Sequence, residues 1–187
     1  MRPVVAGLLA AAAIAACGRD VPEARADDAG GAVASAGAGP EPVDACALLP
    51  QADLERILGG VPAEAEPAQP IDAGGTAMRG CAWRTLDNTA GASLQVRTGA
   101  QYRPDPAAFD RYADGFEQNM GTRPEVEQVT GLGSTALWDR TNHVLLVRSA
   151  RPGHEISVQP YLSRRVPMVE LDRARALAEA VLERLPH

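Results

Sequence analysis

Residues 143–159 read HVLLVRSARPGHEISVQ. Two strand candidates, His143 to Ser149 and His154 to Gln159, flank Pro152-Gly153, a pair that marks a tight turn between strands. The stretch reads as a hairpin, and further strand candidates crowd upstream of it, at Val126 to Thr130 and Thr135 to Asp139. Earlier still, Met78 to Leu86 and Ser93 to Thr98 read as strands. In the second of these, Leu94 and Val96 alternate with Gln95 and Arg97, as a half-buried strand requires.

Three helical patterns punctuate the strands. Leu48 to Gly60 places Pro50 at the first helical position, puts Leu54, Ile57 and Leu58 on one face, and stops at Gly59. A Pro-rich loop follows, from Val61 to Gly75. Asp105-Pro106 opens the second helix as N-cap and first residue. Phe109, Tyr112, Ala113, Phe116 and Met120 then form a stripe read as core, and Gly121 ends it. Pro167 to Leu185 is the longest helix, with a buried stripe of Leu171, Ala174, Ala178, Val181 and Leu185. The predicted order is α-ββ-α-ββββ-α. Such runs of strands with few helices predict an α+β fold, an antiparallel sheet with helices packed on one face. Each half is a helix followed by strands, a hint of duplication that no residue-level repeat supports.

Composition narrows the function classes. The chain has 187 residues, 45% of them apolar but only 4% aromatic, so a core must be built mainly from Leu, Val and Ala. All 18 basic residues are arginine, which reads as GC-rich codon usage. The net charge of −6 repels phosphate backbones, and with no basic stripe this argues against nucleic acid as a partner.

The N-terminus sets the expected address. Val4 to Ala16 are apolar apart from Gly7, and these thirteen residues span only about 20 Å as a helix, short of a ~30 Å hydrocarbon core. Arg2 and the terminal amine supply a positive n-region, and small residues follow the apolar run, as in a cleaved signal peptide over residues 1–16. Ile14-Ala15-Ala16-Cys17 resembles the lipobox of bacterial lipoproteins. That resemblance implies cleavage before Cys17 and a diacylglyceryl group, with a further acyl chain such as palmitate, at that residue. Two or more acyl chains anchor stably, at ~0.8 kcal/mol per buried CH₂. Gly18, rather than Asp, follows Cys17, which in a two-membrane cell favours the outer membrane over the inner cell membrane. Residues 18–43 are rich in Ala, Gly, Pro and acids without apolar periodicity, and read as a flexible linker. The single globular extracytoplasmic domain is expected at 44–187.

With Cys17 acylated, Cys46 and Cys81 remain, and an oxidising compartment favours a disulfide between them. A redox or metal role lacks a C-x-x-C pair or a neighbouring His. Cys46-Ala47-Leu48-Leu49, a helix ending Leu58-Gly59, Cys81-Ala82-Trp83, and later Gly131-Leu132-Gly133 with Ala136 and Trp138, are similar to small lipoproteins of uncharacterised function from high-GC bacteria. Leu49-Pro50 departs from the Thr-Pro cap common there. The resemblance implies a lipid-anchored domain with a structural disulfide and implies no catalytic residues and no cofactor.

Gly131-Leu132-Gly133-Ser134-Thr135-Ala136 formally fits a dinucleotide fingerprint. That motif needs a helix after it, whereas here a strand pattern follows, so a tight turn is expected. His154, Glu155 and Ser157 invite a triad, but neighbours on a strand point to opposite faces. Metal-ligand spacings are missing from the sequence. Trp83 and Trp138 read either as core or as a shared aromatic wall of a ligand groove. The expectation is a membrane-anchored binding or accessory module of the cell envelope whose partner is an envelope protein, a lipid or a small ligand. An envelope hydrolase and a purely structural subunit are the alternatives.

Overall fold

The computed structural model describes residues 41–151, 153–163 and 167–186. The signal segment, Cys17 and most of the linker lie outside the described residues, as do Pro152 and His187. Element order is α1 (Gln51–Leu58), β1 (Glu66–Pro67), β2 (Ile71–Ala73), β3 (Thr76–Arg84), β4 (Ala90–Thr98), α2 (Ala108–Met120), β5 (Val126–Gln128), β6 (Thr135–Asp139), β7 (Val144–Arg148), β8 (His154–Leu162) and α3 (Pro167–Arg184). The fold is α+β with an antiparallel sheet. Its strands run β1-β3-β4-β8-β7-β6-β5, and β2 also pairs with β3. The quoted stretch is indeed a hairpin: Leu145 faces Val158 and Val147 faces Ile156 across β7 and β8.

Two meanders meet at the β4–β8 pair. These strands match over their full lengths, from Ala90 opposite Leu162 to Thr98 opposite His154. Because directly opposed residues share a face, the register lines up Cys81, Leu94, Val158, Leu145 and Trp138 in one row. That face is the main core. Leu54, Leu58, Ala174, Leu177, Ala178 and Val181 from α1 and α3 cover it. Burying a Leu or Val side chain of this kind stabilises the fold by about 1.5–3 kcal/mol. The two covering helices are also tied by Arg184, which donates to Asp53 at 2.6 Å.

The structure revises three expectations. First, the Val61–Gly75 loop contains the short strands β1 and β2, so the order is α-ββββ-α-ββββ-α. Both are fully exposed edge strands, and an exposed strand has no apolar alternation to reveal it. Second, the helices do not all lie on one face. α1 and α3 cover the Trp83 face, but Tyr112 of α2 donates its hydroxyl to Asp139 on the opposite face at 2.6 Å. Leu137, also buried, points that way too, alternating with Ala136 and Trp138 of the main core. Third, the α2 stripe is not a uniform core stripe. Ala113 is buried, Tyr112 and Phe116 are half-buried, and Met120 is 64% exposed. Small adjustments occur at helix starts. Pro50 is the residue before α1 rather than its first residue. Asp105 accepts from the Ala107 amide at 2.9 Å, shaping the turn that leads into α2.

The Gly131-Leu132-Gly133 segment is a turn between β5 and β6, and no helix follows it. Gly133 has φ +59°, and a Cβ there would sit 2.2 Å from the Arg148 carbonyl oxygen. A glycine is required at that position by backbone geometry, with no nucleotide involved.

Candidate functional site

The site begins with a small residue in a row of large ones. Across β3, β4 and β8 the register opposes Trp83 to Ala92 and Ala92 to Pro160. The Ala92 methyl cannot fill the space between an indole and the far strand, and a hollow remains on the helix-covered face. It forms a cavity of about 230 Å³ with Trp83, Ala92, Pro160 and Leu162 on the sheet side. His143 and Glu170 close it from the β6–β7 turn and the first turn of α3.

Local chemistry explains how His143 arrives there. Asp139, fully buried at the end of β6, organises the turn before it. Its carboxylate accepts from the Thr141 and Asn142 amides at 2.9 Å each, and from the Asn142 side chain at 2.7 Å. Gln159 of β8 donates to the Asn142 carbonyl at 3.0 Å and pins the turn to the sheet. His143 then adopts φ +54°, an uncommon conformation for a residue other than Gly or Asn. Its ring lies edge-on to Trp138, with centroids 6.2 Å apart and planes at 67°. Tyr112 completes the Asp139 cluster from the other side. Burial, and then the neighbouring Asp139 carboxylate, push the Tyr112 hydroxyl well above the usual phenol range, so it stays a proton donor.

Glu170 is the unusual member of the site. It is only 2% exposed, although carboxylates are seldom fully buried. Its Oε2 lies 2.6 Å from His143 Nδ1. The two atoms are close but not aligned, and neither has a hydrogen-bond partner. Arg173, one turn further along α3, does not serve Glu170. Its guanidinium is directed to Gly59 at the C-terminal end of α1, where the helix dipole favours a cation.

Of the two tryptophans expected to share a groove wall, Trp83 lines the cavity, and Trp138 does not. Trp138 sits one layer behind, against His143. Both are buried, so each also serves the core. Cys46 and Cys81 are joined in a disulfide, with Cα atoms 5.1 Å apart. Cys81 is two residues before Trp83 on the same face, so the bond steadies the cavity's outer wall. A disulfide belongs to an oxidising compartment and accords with an extracytoplasmic protein. Among the described residues, no helix is long and apolar enough to cross a membrane.

No family model, curated protein or solved structure matches this chain. The site must therefore be read from its own chemistry.

His154, Glu155 and Ser157 do not assemble into a triad. Glu155 faces away from His154 and is held by Arg97 at 2.9 Å and Arg148 at 3.1 Å. His154 is buried, and neither ring nitrogen has a partner. Among the described residues, no three His, Cys, Asp or Glu side chains gather as a metal site. The sequence reading overlooked Ala92, His143 and Glu170. The signal for the last two was faint: a histidine in a turn and an acid 27 positions later in a helix.

Proposed function

We propose that this protein is a lipid-anchored extracytoplasmic binding module that holds a small ligand between its sheet and α3. The observation that carries the reading is the Ala92 hollow, walled by Trp83 and closed by His143 and Glu170. Small-molecule sites combine an apolar concavity with a few fixed polar groups, and this cavity has both. The lipobox at Cys17 and the disulfide support the anchored, extracytoplasmic setting. Exposed apolar side chains favour a protein partner less. Among the described residues, Ile71, Met120, Tyr161 and Val169 stand on separate elements, while Val61 and Leu86 are joined by a backbone hydrogen bond.

One observation favours an envelope hydrolase as a second reading. His143 with Glu170 resembles the base and orienting acid of a nucleophilic site. Ser93, the serine that borders the cavity, alternates with Ala92 and Leu94, which points its side chain to the opposite face. Native mass spectrometry of the full chain released from its own membrane tests the binding reading, with Ala92→Leu run alongside. We expect a small-molecule adduct on the natural chain that Ala92→Leu loses by filling the hollow. A natural chain that carries only envelope proteins and no small adduct overturns the reading.

A further inference from the structure

We infer that the cavity selects a ligand bearing a cationic amine next to an apolar or aromatic body. The inference rests on reading the cavity as a ligand site and adds the chemical class of the ligand. Three independent features converge on it. The first is Glu170, which lines the cavity, is almost wholly removed from water and has a carboxylate oxygen without a hydrogen-bond partner. A buried carboxylate short of donors gains most from a group that brings both hydrogens and positive charge. An ammonium does so; a neutral hydroxyl brings only the hydrogen, and an anion is repelled.

The second feature is Trp83 in the opposite wall. The face of an indole attracts cations and packs equally well on a flat apolar group. The third is that, among the described residues, no arginine is paired with Glu170. Arg173 is turned toward Gly59, and Arg84, which borders the cavity, occupies the strand position after Trp83, whose side chain faces the other side of the sheet. The group able to carry positive charge that approaches the Glu170 carboxylate is His143, and its Nδ1 is misaligned with it. His143 therefore competes with an incoming ammonium for Glu170. Removing the imidazole strengthens amine binding, while neutralising the carboxylate weakens it. A merely apolar hollow would show neither response.

The test uses three size-matched probes: benzylamine, benzyl alcohol and benzoate. The chain has two tryptophans, so the indole N–H signals of the full chain in lipid nanodiscs report on the cavity (Trp83) and on the layer behind it (Trp138). Saturable shifts of the Trp83 signal by benzylamine, stronger than by the other two probes, are the expected result. Glu170→Gln, which keeps the shape, is expected to weaken benzylamine by about tenfold or more. His143→Asn is expected to tighten it, and Asn tolerates the left-handed backbone at that position. Benzyl alcohol or benzoate binding as well as benzylamine overturns the amine class but leaves the cavity a ligand site. Trp83 signals that none of the three probes move overturn both. Should Glu170→Gln fail to fold, His143→Asn decides alone, and unchanged or weaker benzylamine binding overturns the inference.

Discussion

His154 sits at the start of β8, opposite Thr98, with its imidazole turned into the covered face and only 5% exposed. Burial without partners disfavours the imidazolium and pushes its pKa below the ordinary 6.5. The sign of the consequence follows from linkage. Below pH 6.5 the unfolded chain takes up a proton that the folded chain resists, so stability is fully present above 6.5 and lost as pH falls through the depressed folded value. The slope reaches at most about 1.4 kcal/mol per pH unit from this one group. Denaturant unfolding between pH 5 and 8 should show this loss in the natural chain and a smaller one in His154→Leu, which keeps the apolar volume. Parallel curves for the two proteins would remove His154 as the source. The same side chain illustrates what a lone histidine in a strand usually is, a core residue. His143 is the opposite case, since its backbone turn and its neighbour Glu170 bring it to a cavity.

Elements on buried faces were legible in the sequence, and elements on exposed ones were not. β4 announced itself by alternation because one face of it is buried under α1 and α3, and β8 by the Pro152-Gly153 turn before it. α1 ends at Gly59 and α2 at Gly121, each in the left-handed conformation, as read. β1 and β2 were hidden because neither of their faces is buried. The α2 stripe misled because periodicity reports a face, not whether anything covers it. The apparent duplication fails for a related reason. The β4–β8 antiparallel pair has a local two-fold axis perpendicular to the sheet, which would place α1 and α2 on the same side. They lie on opposite sides. The Ala92 hollow was also beyond reach of the sequence, because it arises from cross-strand register between segments far apart in the chain. At this scale the disulfide gives the sharpest prediction. It joins the segment before α1 to β3 across a separation of 35 residues, and closing a loop of that size contributes about 3–4 kcal/mol. Replacing both Cys46 and Cys81 by Ala should lower unfolding free energy by about that amount in guanidinium titrations. A change under about 1 kcal/mol would mean that sheet and helix packing alone set the geometry.

At the scale of the whole molecule, the tether and the folded part make separable predictions. The core seen on the Trp83 face is closed by α1, α3 and the disulfide, all of which lie C-terminal to residue 43. The anchor reading therefore predicts that Cys17→Ser changes location without changing fold. Two acyl chains hold a protein on a membrane and none do not, because each buried CH₂ is worth ~0.8 kcal/mol. The acidic net charge of −6 adds no attraction to anionic lipid. In fractionated cells the natural chain should sediment with membranes, and Cys17→Ser should appear in the soluble extracytoplasmic fraction. That soluble protein should carry no alkylatable thiol, with Cys46 and Cys81 still joined, and should melt at the same temperature as the anchored form. Continued sedimentation of Cys17→Ser would remove the lipid anchor. Release together with two reactive thiols would keep the anchor but remove the Cys46–Cys81 disulfide.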